Sequence, residues 1–246
     1  MEVIDWLLAA CMFLAALLYT SVGHAGASGY LALMALFGTA PAVMRPTALA
    51  LNILVSSFAA WRYGSAGLFR WRTLWPFLLG AAPFAFLGGT LQLPGHYYRP
   101  VVGLILVFAA ARFLWQSKPP PPDAIRDPSI WLGVLAGAGI GLLSGLTGTG
   151  GGIFLSPLLL LANWSETRTA SGVVATFILC NSAAGLLGNY ASVGALPPNL
   201  PLFAAAVLLG ALVGTTLGIR RFAPATIRKA LGVVLIIAGI KLIGLY

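Results

Sequence analysis

The chain is short of negative charge. Its 246 residues include only five carboxylates, Glu2, Asp5, Asp123, Asp127 and Glu166, against fourteen lysines and arginines, and none of the five lies beyond the first residues of an apolar run. A membrane protein without a carboxylate in its lipid-spanning body is poorly equipped to carry cations, because a buried cation needs a compensating negative group. An anion can be held by backbone N–H groups, hydroxyls, amides and helix N-termini. The missing carboxylates therefore argue against a cation carrier and for an anionic solute. Cysteine is scarce as well: Cys11 and Cys180 both lie inside apolar runs, where free thiols act as small hydrophobes, and no structural disulfide is expected. No metal site and no cofactor are expected. The N-terminus carries Glu2 and Asp5 where a cleaved signal peptide would carry Lys or Arg, so the first helix is expected to stay.

What is abundant is apolar surface. A content of 59% hydrophobic and 8% charged residues, with a mean hydropathy of +0.95, describes an integral membrane protein. Apolar runs long enough to span begin near Ile4, Thr47, Leu74, Pro100, Trp131, Ala170, Pro201 and Lys229. The net charge of +9 is carried singly or in pairs at the ends of these runs. Such charges set orientation in the bilayer, and nucleic acid is not expected as a partner. Trp61, Trp71 and Trp75 fit an interfacial belt.

The sequence divides at Lys118-Pro119-Pro120-Pro121-Pro122-Asp123, a stiff polar linker that cannot lie in hydrocarbon. Residues 1–117 form a first membrane repeat, 118–128 the linker and 129–246 a second repeat. Adding 125 brings Trp6 onto Trp131, Gly23 onto Gly148 and Gly26 onto Gly151; the offset then drifts to 127 for Tyr63 and Gly67, which fall on Tyr190 and Gly194, and to 129 for Arg99 and Gly103, which fall on Arg228 and Gly232. Each half opens with a segment too long for one span and too short for two. In the first half, apolar residues 5–22 precede Gly-His-Ala-Gly-Ala-Ser-Gly at 23–29, and residues 30–37 are apolar again. An arm of that size reaches only about 12 Å, which reads as a re-entrant, discontinuous hairpin with its tip inside the protein. The second tip is Gly145 to Gly152. The expected fold is an all-α polytopic membrane protein of two inverted repeats, each a re-entrant hairpin plus three transmembrane helices.

Charge placement favours the inversion. If each hairpin returns to its starting side, one face collects Arg62, Arg70, Arg72, Arg112, Lys118, Arg126, Arg168, Arg220, Arg221, Arg228 and Lys229, and the other keeps Arg45, Arg99 and Lys241. The positive-inside rule then puts both termini outside the cytoplasm, which is the periplasm for the bacterial inner membrane expected here.

Two inverted hairpins bring their tips together near the midplane, where carriers of this build hold solutes. Substrate-binding candidates are Ser21, His24, Gly26 and Ser28 in the first tip and Thr147, Thr149, Gly150, Gly151 and Gly152 in the second. Glycines let backbone N–H groups converge on an oxyanion, the hydroxyls add donors, and the short arms beginning near Tyr30 and Ile153 point helix N-termini at the same place. Gly137, Gly141 and Gly145, spaced by four, read instead as helix packing. Asn52 and Asn181, midway along the helices after the hairpins, must face a partner or a cavity; with Asn189, Thr176, Ser56 and Ser57 they either complete the site or make interhelical hydrogen bonds. His24 carries a proton or donates a hydrogen bond as neutral imidazole. Arg45 and Arg168 are either gate residues that attract the anion or snorkel to lipid headgroups.

The run Gly145-Leu146-Thr147-Gly148-Thr149-Gly150-Gly151-Gly152, leading into Ile153 to Leu159, with a degenerate copy around Gly23 to Leu33, resembles the TauE/SafE family of membrane transporters. The likeness covers essentially the whole chain. The first copy departs from the second, with His24, Ala25 and Ala27 where the second has Thr149, Gly150 and Gly152. The resemblance implies export of sulfite or organosulfonates such as sulfoacetate. The expected partners are a small anionic substrate and the lipid bilayer, and a homodimer is compatible with this reading. An anion channel is the alternative, and Gly26-Ala27-Ser28-Gly29 matches the G-x-S-G form of rhomboid-like intramembrane serine proteases as a remote one. The protein is not expected to be an enzyme.

Overall fold

Gly and Pro punctuation cuts the apolar sequence into helices whose lengths follow from the distance between breakers. The computed structural model describes residues 3–114, 125–190, 196–220 and 225–244. Among them are ten helices and no strand: α1 (Val3–Thr20), α2 (Ala27–Leu36), α3 (Pro41–Ser65), α4 (Trp71–Thr90), α5 (Gly95–Leu114), α6 (Ile130–Thr147), α7 (Gly152–Leu161), α8 (Thr167–Gly188), α9 (Leu200–Arg220) and α10 (Ala225–Ile243). The order of long, short, long, long, long occurs twice. The polar linker from Lys118 to Asp123 lies outside the described residues.

Six helices, α1, α3, α4, α6, α8 and α9, are long and apolar enough to cross a membrane. Their outward faces carry Leu14, Leu79, Phe86, Leu135, Leu187 and Leu209, each about half exposed or more. Such a surface has no place in water and is solvated by lipid tails. The chain is a polytopic membrane protein. Trp61 and Trp71 stand exposed near the end of α3 and the start of α4, where indole suits the headgroup region.

Small residues set how the helices meet. Along α6 every fourth residue is Gly133, Gly137, Gly141 and Gly145, and each faces α4 at Pro76, Phe77, Ala81 and Ala85 in turn. The backbones touch, so a Cβ at Gly137, Gly141 or Gly145 would overlap a carbonyl oxygen of α4. The pairing is parallel. On the other side α9 lies parallel to α1, with Gly210, Gly214 and Gly218 against Phe13, Leu17 and Ser21. By contrast α5 and α10 run antiparallel, Gly103 meeting Gly239 and Ile243 while Gly232 meets Leu114. So do α3 and α8 at the centre, where Asn52 bonds Ser182 and Tyr63 lies against Gly172.

Both short helices begin at a glycine in the left-handed region, Gly26 (φ 106°) for α2 and Gly151 (φ 80°) for α7. The α1–α2 break spans 21–26 and the α6–α7 break 148–151, so the short arms start a little earlier than composition indicates and Ser28 lies in the first turn of α2. Ten residues make about 15 Å of helix, half the hydrocarbon thickness. The first short helix folds back beside the chain it came from, Gly29 packing on Tyr19 and Ala15 of α1, whereas α7 packs on α8, Gly152 meeting Ile178 and Val174.

Candidate functional site

The two hairpin tips meet in the middle of the bundle. The His24 ring of the first tip lies with Nε2 3.2 Å from the carbonyl oxygen of Gly152, the first residue of α7, and with Nδ1 3.1 Å from the carbonyl oxygen of Val22. Gly150 contacts Asn52, Ile178 and Ser182; Gly151 contacts Ile140, Asn181 and Phe177; Gly152 contacts Ile178 and Val174. The second tip is thus level with Asn52 and Asn181, well inside α3 and α8. Ser21, His24, Ser28, Asn52, Thr147, Thr149 and Asn181 are all buried, as are Gly26 and Gly150 to Gly152.

The amides hold the tips through their N–H groups. Asn181 Nδ2 donates to Ser144 Oγ at 2.7 Å and to the Gly150 carbonyl at 3.3 Å, and Asn52 Nδ2 donates to Ser182 Oγ at 3.2 Å. The Oδ1 atoms of both asparagines are buried without a partner among the described residues. An amide rotated by a half-turn would present a donor in that place. Thr147 and Thr149 share a hydrogen bond at 3.1 Å. In α2 and α7 the first backbone N–H groups to find carbonyls include Tyr30 N on Gly26 O and Phe154 N on Gly151 O, so earlier N–H groups of each first turn remain for another acceptor.

Among the described residues no carboxylate enters this centre. Asp5 is in the first turn of α1 and accepts from Asn199 Nδ2, Asp127 pairs with Arg70 at 3.2 Å, and Glu166 precedes α8. No cluster of metal-ligating side chains occurs among them either.

Comparison with known proteins supplies the family. Residues 8–242 match the family described as Sulfite exporter TauE/SafE. The chain belongs to the TauE/SafE family. It is 40% identical over 239 residues, 96% of its own length and 97% of the relative's, to "Probable membrane transporter protein y4hK" of Sinorhizobium fredii (strain NBRC 101917 / NGR234). No solved structure matches it. As a TauE/SafE member the protein is a membrane transporter.

In this TauE/SafE chain the two arginines after the hairpins do one job in different surroundings. Arg45 is 6% exposed and donates from Nη1 to Leu91 O at 2.9 Å and from Nη2 to Gly88 O and Gly89 O, both at 2.7 Å. Those carbonyls end α4, where partial negative charge accumulates. Arg168 donates to Ile219 O, at the end of α9, at 3.1 Å, but is exposed. Arg45 therefore does not snorkel to lipid; its guanidinium is built into the protein.

The sequence alone signals no site role for four tyrosines that the structure sets around the tips. Tyr19 shares a 2.6 Å hydrogen bond with Ser28, Tyr30 donates to Ala25 O at 2.6 Å, Tyr63 to Thr20 O at 2.8 Å and Tyr98 to Thr147 O at 3.0 Å. Tyr63 and Tyr98 hold the last carbonyls of α1 and α6, where each chain turns into its break. An aromatic in an apolar run signals core, and only the matched Thr20 and Thr147 ends hint at a brace. Of the other candidates, Ser56 and Thr176 spend their hydroxyls on carbonyls one turn back, Ser57 is exposed, and Asn189 lies away from the tips beside Arg45 in a separate cavity.

Proposed function

We propose that this TauE/SafE transporter carries small oxyanions, sulfite or organosulfonates such as sulfoacetate, outward across a bacterial inner membrane by alternating access, with the solute held between the two hairpin tips. The observation that carries the reading is the His24–Gly152 contact, which joins the two tips in a buried centre rich in N–H and O–H donors. An oxyanion accepts several hydrogen bonds while its charge is spread over its oxygens, and donors of this kind serve it without a counter-cation.

The halves are inverted in this proposal. Support comes from the antiparallel run of equivalent helices, α3 with α8 and α5 with α10, since repeats related along the membrane normal would run parallel. The basic residues support the orientation. Helix ends bearing Arg62, Arg70, Arg72, Arg168 and Arg220 gather on one face, the cytoplasmic one by the positive-inside rule, leaving Arg45, Arg99 and Lys241 on the periplasmic face. Both tips are packed against neighbours in this conformation, so loading requires the halves to part. With the cell interior negative, outward movement of a singly charged anion is favoured by about 2.3 kcal/mol per 100 mV, and export then runs without a coupling ion.

A thermal-shift screen of the purified protein tests the solute class, because a ligand stabilises the state that binds it. Sulfite or sulfoacetate should raise the melting temperature more than taurine or acetate. Stabilisation by a neutral or cationic solute, with none by any oxyanion, contradicts the proposal.

A further inference from the structure

The strongest candidate outside the tips is a cavity of about 530 Å3 at the opposite end of the bundle from the main cluster of arginines. It lies between the first turns of α3, the α4–α5 connection, the start of α5 and the last residue capping α8. Arg45 and Asn189 form its inner wall, Tyr98 links it to the second tip, and Gln92, His96 and Arg99 line its exposed side.

We propose that this cavity is a second anion site, a vestibule in which a free oxyanion of the transported class docks on its way to or from the tips. This rests on the anion reading above and adds a separate place for the solute. Two buried donors lack partners here. Arg45 Nε and Asn189 Nδ2 are without a hydrogen-bond acceptor among the described residues, in side chains only 6% and 3% exposed. Native proteins rarely leave such donors unsatisfied. Both atoms are covered in this conformation, and a sulfonate or sulfite group, with three oxygens to offer, would pair with them once the Arg45 and Asn189 side chains turn into the cavity they line.

Charge points the same way. Among the described residues no carboxylate lines the cavity, while Arg45 and Arg99 do. Orientation in the bilayer gives no reason for them, since the positive-inside rule draws basic residues to the other face. The other candidate gate, Arg168, is exposed and stands among the clustered arginines, so among the described arginines only Arg45 is buried. The volume lies within the usual range of about 300–1,000 Å3 for small-molecule sites, large enough for an oxyanion with an organic tail. Gly148 packs on Arg45, and Tyr98 donates to Thr147 O, so the vestibule wall and the second tip share residues in contact.

A lipid phosphate offers similar oxygens, and the experiment separates the two sources. Sulfoacetate binding is measured by calorimetry on the purified full chain in neutral detergent, for the parent, Asn189→Asp and Asn181→Leu. Asn189→Asp places a negative charge in the wall that also carries Arg45, and its melting temperature, measured alongside, must stay within a few degrees of the parent's for its binding to be read. Asn181→Leu acts at the tips and lies outside the vestibule lining. The vestibule predicts that Asn181→Leu still binds sulfoacetate, and that adding Asn189→Asp to it weakens this binding at least tenfold. Arg99→Gln should weaken it by a smaller factor. If Asn181→Leu binds nothing while the parent binds and transports, only the tips hold the solute and the vestibule is overturned. Unchanged binding on adding Asn189→Asp overturns it too. If neither sulfite nor sulfoacetate is transported by the parent, the proposed function fails first. Phosphatidylglycerol that co-purifies with the parent but not with Asn189→Asp, without any effect of sulfoacetate, assigns the cavity to lipid and overturns the proposal.

Discussion

His24 and Gly152 are 128 positions apart in the chain, yet the imidazole Nε2 of one lies 3.2 Å from the carbonyl oxygen of the other, while Nδ1 lies 3.1 Å from the carbonyl oxygen of Val22. The ring thus ties the first tip to the first residue of α7, with the nitrogen that holds the proton donating to its carbonyl. If the proposed parting of the tips is the transport step, removing this tie should change sulfoacetate flux: His24→Ala, which loses the contact, should alter it more than His24→Gln, which keeps an amide donor. Flux in His24→Ala equal to the parent's removes the proposed role.

Two glycines of similar sequence context should respond in opposite ways. Gly150 has φ +75° and its Cβ position overlaps Asn52 Nδ2, whereas Gly139, on the outer face of α6, has open space around it. Gly150→Ala places an L-residue in the left-handed region at a cost of about 1–2 kcal/mol and displaces a central amide. Loss of transport with a lowered melting temperature is expected. Gly139→Ala should be neutral or stabilise by about 0.5–1 kcal/mol, read by thermal denaturation in detergent.

The parallel α4–α6 contact should be intolerant of bulk. At Gly141 any Cβ meets the Ala81 carbonyl, which is backbone and cannot step aside. Gly141→Leu should prevent accumulation of folded protein, seen as loss of the monodisperse peak in size-exclusion chromatography. Adding a leucine to the face of α6 that carries the exposed Leu135 should have little effect.

The arginines differ in what their removal leaves behind. Arg45→Met strips three carbonyls at the end of α4 of their donors in a buried place, and unsatisfied buried groups cost about 1–3 kcal/mol each. Destabilisation of about 2–4 kcal/mol is expected after relaxation. Arg168→Met loses an exposed contact, for which less than about 1 kcal/mol is expected. Equal losses of melting temperature would contradict the difference in burial.

Much of this architecture was legible because breakers are local. Glycine runs mark the two interrupted hairpins, and three apolar runs after each give α3 to α5 and α8 to α10. The packing role of Gly137, Gly141 and Gly145 follows from their spacing, and the structure puts all three on α4. The start of α2 was harder, since Ala27-Ser28-Gly29 has the composition of a loop and becomes helical through contacts with Tyr19 and Ala15. The burial of Arg45 was not legible at all. Its partners are main-chain oxygens more than forty residues away, and no side-chain pattern announces a carbonyl at the end of a helix.

The most direct test of the central claim is the flux of radiolabelled sulfite and sulfoacetate through proteoliposomes containing the purified protein, parent against a folded Asn181→Leu variant. A saturable flux is expected in the parent, driven out of an inside-negative vesicle, with at least a hundredfold loss when the amide between the tips is removed. A flux unchanged in Asn181→Leu, or a parent that moves cations and no oxyanion, would contradict it.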